Sequence, residues 1–145
     1  MAKGDKKLLL LDLSGRLPYG VKVSLQYGGK QLNGVLDAVY PTEERVIVDE
    51  LSEAIAPIDV RCGGFKLDEN NIKPYLRPMS DMTEEEVKEL QEIDEMRLLY
   101  SSRHLTWRFD GEVIDYLNEK MLDWRGLIPR GLAIAVTKEN NPYEK

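Results

Sequence analysis

The stretch "VKVSLQYGGKQLNGVLDAVYPTEERVIVDE", residues 21–50, limits what this chain can fold into more than any other. Val21, Val23, Leu25 and Tyr27 alternate with Lys22, Ser24 and Gln26, and a period of two sorts apolar from polar side chains only on an extended strand. Gly28 and Gly29 follow, a dipeptide that supplies the positive φ angles of a tight hairpin turn. The return strand, residues 30–40, changes parity near Gly34, as a β-bulge would. "PTEE" makes the next turn, and "RVIVDE" is a third strand rich in β-branched residues.

The flanking segments change period. Residues 5–16 form a short helix capped by Asp5, with Leu9, Leu10, Leu13 and Leu17 three and four apart, ended by Gly15 and Pro18. "IDVRCGGFKL" predicts a small second hairpin around Gly63 and Gly64. "NNIKPYLRP" predicts a turn of helix and a short edge strand, because Pro74 and Pro78 exclude a long central one. Thr83 with Glu86 is a capping box that opens a helix running to Tyr100. A last helix, residues 112–124, carries the stripe Val113, Ile114, Leu117 and Met121, with Gly126 as its left-handed cap. "GLAIAVT" closes the pattern as a strand added to the edge of the N-terminal sheet, and residues 137–145 form a frayed tail.

The fold class is therefore α+β: a small, strongly bent antiparallel sheet, or a small β-barrel of the Src-homology or Sm-like type, with an N-terminal helix and two C-terminal helices. A flat three-stranded meander covered by helices is the rival. The 145 residues are expected to form a single domain. Its N-terminal helix and β part span about 5–78 and its helical part, with the closing strand, about 79–136.

Composition removes several function classes. Cys62 is the only cysteine and His104 the only histidine, so neither a disulfide framework nor a zinc centre of common type can be built, and a reducing, cytoplasmic setting is expected. The longest apolar run, "LLLLDL" at residues 8–13, is far short of a membrane span. It is also broken by Asp12, against a signal peptide. The net charge of −6 argues against a general polyanion binder. That charge is unevenly spread: residues 81–95 carry eight acidic side chains against Lys88 alone, whereas residues 96–109 carry Arg97, Arg103 and Arg108 and no acid.

The segment "SSRHLTWRF", residues 101–109, supplies the candidate binding residues Arg103, His104, Trp107 and Arg108. An indole offers a stacking face and guanidiniums offer forked donors to phosphate. The plainer reading is an interhelical connection anchored by Leu105, Trp107 and Phe109. Tyr75 and Arg77 flank the expected barrel, where small-barrel proteins bind extended ligands. No catalytic residue is assigned: His104 has no nucleophile or orienting acid at a recognisable spacing, and nucleophile-elbow, zincin and Cys-His signatures are missing. "GGK" and "CGGF" lack Walker spacing, and "LDENN" lacks the ligand alternation of a calcium loop. No metal and no cofactor is expected.

Three stretches carry a resemblance: "DLSGRLPYGVKV" at 12–23, "IKPYLRPMSDMTEEE" at 72–86 and "LDWRGLIPRGLAI" at 122–134. In that order they are similar to a family of short hypothetical proteins, without known activity, from gut Bacteroidales bacteria and their phages and mobile elements. Members of that family tend to read "NAHHFDYRGL" where this chain has "NEKMLDWRGL"; the histidine pair is missing, with Glu119, Lys120 and Met121 in that region. A metal or catalytic role resting on those histidines cannot operate here. The resemblance implies a phage-associated accessory or interaction factor. The expected function is a non-enzymatic module binding a protein partner, its acidic helix meeting a basic surface; the alternative is nucleic-acid binding by a small barrel.

Overall fold

The computed structural model describes residues 2–53, 64–100 and 111–144, with 94–100 described by backbone alone. Helix α1, Lys3–Arg16, runs into a 3-10 turn at Leu17–Tyr19 that contains Pro18 and ends on Gly20 in the left-handed region. Strands β1 (Lys22–Tyr27) and β2 (Lys30–Tyr40) pair antiparallel, with Tyr27 opposite Lys30. The two-residue loop has φ of 58° at Gly28 and 78° at Gly29. Both values match the primed turn that suits the twist of a hairpin.

Strand β3 (Arg45–Asp49) extends the meander, and β4 (Phe65–Lys66) pairs with its outer side. On the other side of β1 lies β5 (Lys73–Leu76), and β6 (Ile134–Ala135) pairs with β5 in parallel. The order β4-β3-β2-β1-β5-β6 is a mixed open sheet, which does not close into a barrel among the described residues. The α+β class and the closing strand at the sheet edge are as expected; the parallel pair is not, since the pattern pointed to antiparallel strands throughout.

One detail of the meander differs from expectation. The β2 to β3 register is regular up to Leu36 and shifts before Ala38, which places the bulge at Asp37. Gly34 lies inside the regular part on the core face, and a Cβ there would run into the Val48 side chain and the Asp49 carbonyl. The glycine therefore allows close strand packing rather than marking the bulge.

The segment at 73–76 was expected at an edge, but β5 is internal, between β1 and β6. Pro74 is accommodated because its nitrogen has the same parity as the Leu76 carbonyl, which bonds Val136 N–H on the β6 side, and the β6 ladder begins only at Tyr75. No ladder hydrogen bond is lost.

Helix α2, Glu84–Tyr100, starts after a 3-10 turn at Met79–Asp81. The capping box is present: Glu86 N–H donates to Thr83 Oγ1 at 3.1 Å and Thr83 N–H to Glu86 Oε1 at 3.0 Å. Helix α3 is Gly111–Glu119, shorter than the expected 112–124. It closes with Met121 N–H on Asn118 C=O and Leu122 N–H on Leu117 C=O, and Met121 has a φ of 57°. The left-handed cap is thus Met121 rather than Gly126. Leaving the helix there sends the Met121 side chain into the core and brings Leu122 beside Arg77 as a parallel bridge.

Leu9 and Leu13 of α1 cover Val21, Val23, Leu25, Leu36 and Val46 of the sheet in one apolar cluster. A second, smaller cluster holds Leu90, Val113, Tyr116, Leu117 and Leu122 between α2 and α3. The segment after β6, expected to fray, is fastened by Tyr143. Its hydroxyl donates to Tyr75 C=O at 2.8 Å and accepts from Lys22 N–H at 3.0 Å, filling the place where the β1 to β5 ladder ends. Burial pushes the Tyr143 hydroxyl up to about 12.

Candidate functional site

The expected site residues divide into two groups. Arg103, His104, Trp107 and Arg108 lie outside the described residues. Tyr75 and Arg77 are described, and neither presents free donors to a ligand. Tyr75 is 2% exposed and donates to Asn33 Oδ1 at 2.7 Å on the sheet's other face. Arg77 grips Glu86 with both terminal nitrogens, at 2.8 and 2.7 Å, and also bonds Asp81 and the Lys120 carbonyl. The guanidinium, with Thr83 N–H in support, holds the Glu86 carboxyl down at about 2.

The three stretches that carry the resemblance converge on residues 121–128. Arg77 N–H bonds Met121 C=O and Arg77 C=O accepts from Asp123 N–H. From α1, the fully buried Arg16 donates through Nε to Asp12 Oδ2 at 2.9 Å and through Nη2 to Leu122 C=O at 2.6 Å. Arg125 stacks on Trp124, 4.2 Å from its ring centroid, with Nε 3.5 Å from Asp12 Oδ1. Trp124 Nε1 donates to Asn118 Oδ1, and Asp123 takes the N–H groups of Leu127 and Ile128 on its two carboxylate oxygens. These residues splice the two halves together, and that is a structural use of the motifs.

Desolvation raises the Asp12 carboxyl against the pull of Arg16 and Arg125, and lowers the Arg125 guanidinium. Burial is also the larger cause of the raised Tyr116 hydroxyl, with the bond to Glu89 second. Burial inside the fold is the leading cause of each of these three displacements. Among the described residues, no group of three His, Cys, Asp or Glu side chains could hold a metal ion. No helix among them is long and apolar enough to cross a membrane.

A surface with unused chemistry lies on the other side of α1. Successive helical residues are about 100° apart, so the four leucines at 8–11 sweep about 300° and cannot all face one core. Leu9 and Leu13, with Asp12 and Arg16, turn inward, while Leu11 remains 51% exposed. Lys3, Lys7, Leu10, Leu11 and Ser14 line a groove of about 590 Å³ whose far wall is Pro41 and Glu44 of the β2–β3 turn. Lys6 fixes that wall: its Nζ contacts Asp68 and lies 3.2 Å from Glu44 Oε2, and these bonds raise its pKa. An ammonium held protonated is unsuited to nucleophilic or general-base work. Lys3 and Lys7 have no ion-pair partner among the described residues, and they leave the groove rim positive.

The sequence does carry a signal for this groove, in the leucine run preceded by Lys3, Lys6 and Lys7. Its exposed side is concealed because Asp12 and Arg16 occupy the inward face where apolar residues are normally sought.

Compared with protein-family models, curated proteins and solved structures, the chain has no match.

Proposed function

We propose that the chain is a non-enzymatic interaction module that binds a protein partner through the groove on α1. One observation carries this reading: a half-exposed leucine lining an apolar groove whose rim bears Lys3 and Lys7, which have no ion pair among the described residues. Exposed apolar surface rimmed by charge suits a segment that offers an apolar anchor and carboxylates, with the charges guiding its approach and register. The lining supports recognition better than catalysis, since its one carboxylate is tied to Lys6. The accessory or interaction role that the resemblance implies agrees with this reading.

The test is affinity capture by the full chain, with and without nuclease, comparing wild type with Leu11→Glu. The reading expects a protein retained in near-equal amount despite nuclease and lost from the variant, whose melting temperature is unchanged. Retention that is indifferent to Leu11→Glu contradicts it, and material lost on nuclease treatment points to nucleic acid instead.

A further inference from the structure

The charges along the groove stand where their own helix disfavours them. Lys3, Lys6 and Lys7 occupy the first two turns of α1, where the helix dipole is positive and favours acids, yet Asp5 is the only acid of the first turn and Ala2 provides no side-chain cap. Lys6 is compensated by Asp68 and Glu44, and Asp5 is turned to Arg130 at 3.5 Å. Lys3 and Lys7 are exposed and have no ion pair among the described residues. A local rule broken without an internal gain is characteristic of a binding surface.

These two cations share a row with the exposed leucine. Counted at about 100° per residue, Lys3, Lys7, Leu11 and Ser14 fall within about 80° of one another, on the side of α1 opposite Leu9, Asp12, Leu13 and Arg16. Along the axis Lys7 is about 6 Å and Lys3 about 12 Å from Leu11. An occupant anchored at Leu11 therefore meets one cation a turn away and a second two turns away. Its backbone is constrained as well. Pro41 has no N–H, its carbonyl accepts from Glu44 N–H at 3.3 Å, and the Glu44 carbonyl accepts from Leu67 N–H at 3.1 Å. Beyond its first turn α1 satisfies its own backbone. An extended segment would find no ladder to join and would bury unpaired peptide groups against an apolar lining, whereas a helix satisfies its own.

We propose that the groove takes an acidic amphipathic helix of a partner protein, an aliphatic anchor resting on Leu11 and carboxylates one and two turns from it, on the same face, meeting Lys7 and Lys3. The proposal rests on the reading of the groove as a protein-binding surface, and gives the chemistry of the partner.

The probe is an alanine-based helical peptide of about 20 residues with one leucine and with glutamates one and two turns to either side of it on the same face. Its control has the same composition with the glutamates on the opposite face. Fluorescence anisotropy with the full chain is expected to show the first peptide bound at least tenfold more tightly than the control. Lys3→Glu combined with Lys7→Glu should abolish that preference and transfer it to a peptide with lysines in place of the glutamates, while the melting temperature stays that of wild type. Equal binding of both peptides, no binding of either, or a preference that survives the charge reversal overturns the proposal, as does binding of phosphatidylserine vesicles in place of the acidic peptide. The reading of the groove fails separately: a captured protein that is lost with Leu11→Glu but kept by the charge-reversed variant leaves that reading standing and removes the acidic helix alone.

Discussion

Helices α1 and α2 are both rich in charge, but α1 also buries charge, setting Asp12 and Arg16 beside its inward leucines. On α2 the arrangement is the usual one: Leu90 packs inward while Glu84, Glu85, Lys88 and Glu92 face water. On α1, Asp12 and Arg16 are inside at 1% and 0% exposure, while Leu11 is outside at 51%. Two different demands account for this inversion. The inward pair lets one guanidinium reach both a carboxylate on its own helix and the carbonyl of Leu122, which no apolar side chain could do. The outward leucine is surface that the fold itself leaves uncovered among the described residues.

The largest effect is expected from breaking the inverted face. Arg16→Met strands the Asp12 carboxylate with only the 3.5 Å contact to Arg125, and removal of one member of a buried pair costs about 3–5 kcal/mol. Denaturant unfolding should show that loss, and adding Asp12→Leu should recover a large part of it. Failure of the second substitution to recover stability would mean that the Leu122 carbonyl bond is the larger contribution. A smaller loss, about 1–3 kcal/mol for the groups left unpaired, is expected from Tyr143→Phe, which deprives Lys22 N–H and Tyr75 C=O of their shared partner. The same melts would show no change if the tail were merely resting on the sheet.

The ion pair on α2's side should behave differently because it is partly wet. Glu86→Gln is expected to cost about 1 kcal/mol at neutral pH, discounted for solvent screening. Glu86 is depressed from 4.5 to about 2 on folding. Its stabilisation is therefore full above the unfolded value and is lost as pH falls from about 5 toward 2. Asp12 has the opposite sign: its raised carboxyl favours the folded state at low pH, and that contribution is lost as pH rises through the raised value. Unfolding free energies between pH 2 and 7 should show an acid-side loss in the wild type that Glu86→Gln flattens. An undiminished loss in the variant would place its origin elsewhere.

What could be read from the sequence follows the range of the interactions concerned. The Gly28-Gly29 turn and the Thr83–Glu86 box depend on neighbours within four residues, and both lie where the pattern places them. The end of α3 does not, because a methionine takes the left-handed position for the sake of a bridge to Arg77, more than forty residues earlier. Glycine often marks an irregularity and so points to Gly34, whereas Gly34 serves close packing and the bulge falls at Asp37. Tyr143 looks like any tyrosine in a polar tail until β1 and β5 provide the gap that it fills. The groove was concealed by the same inversion of α1 that defines it, since periodicity alone treats a leucine as inward and an aspartate as outward.

The smallest effect on stability should come with the largest on recognition. Leu11→Glu changes an exposed side chain and is expected to move stability by no more than about 0.5 kcal/mol. The most direct test is to measure, on one preparation of Leu11→Glu, its melting temperature and the amount of protein partner it retains against wild type. An unchanged melt with retention lost is the predicted result. Retention equal to wild type with the fold intact would contradict the assignment of this face of α1 to binding.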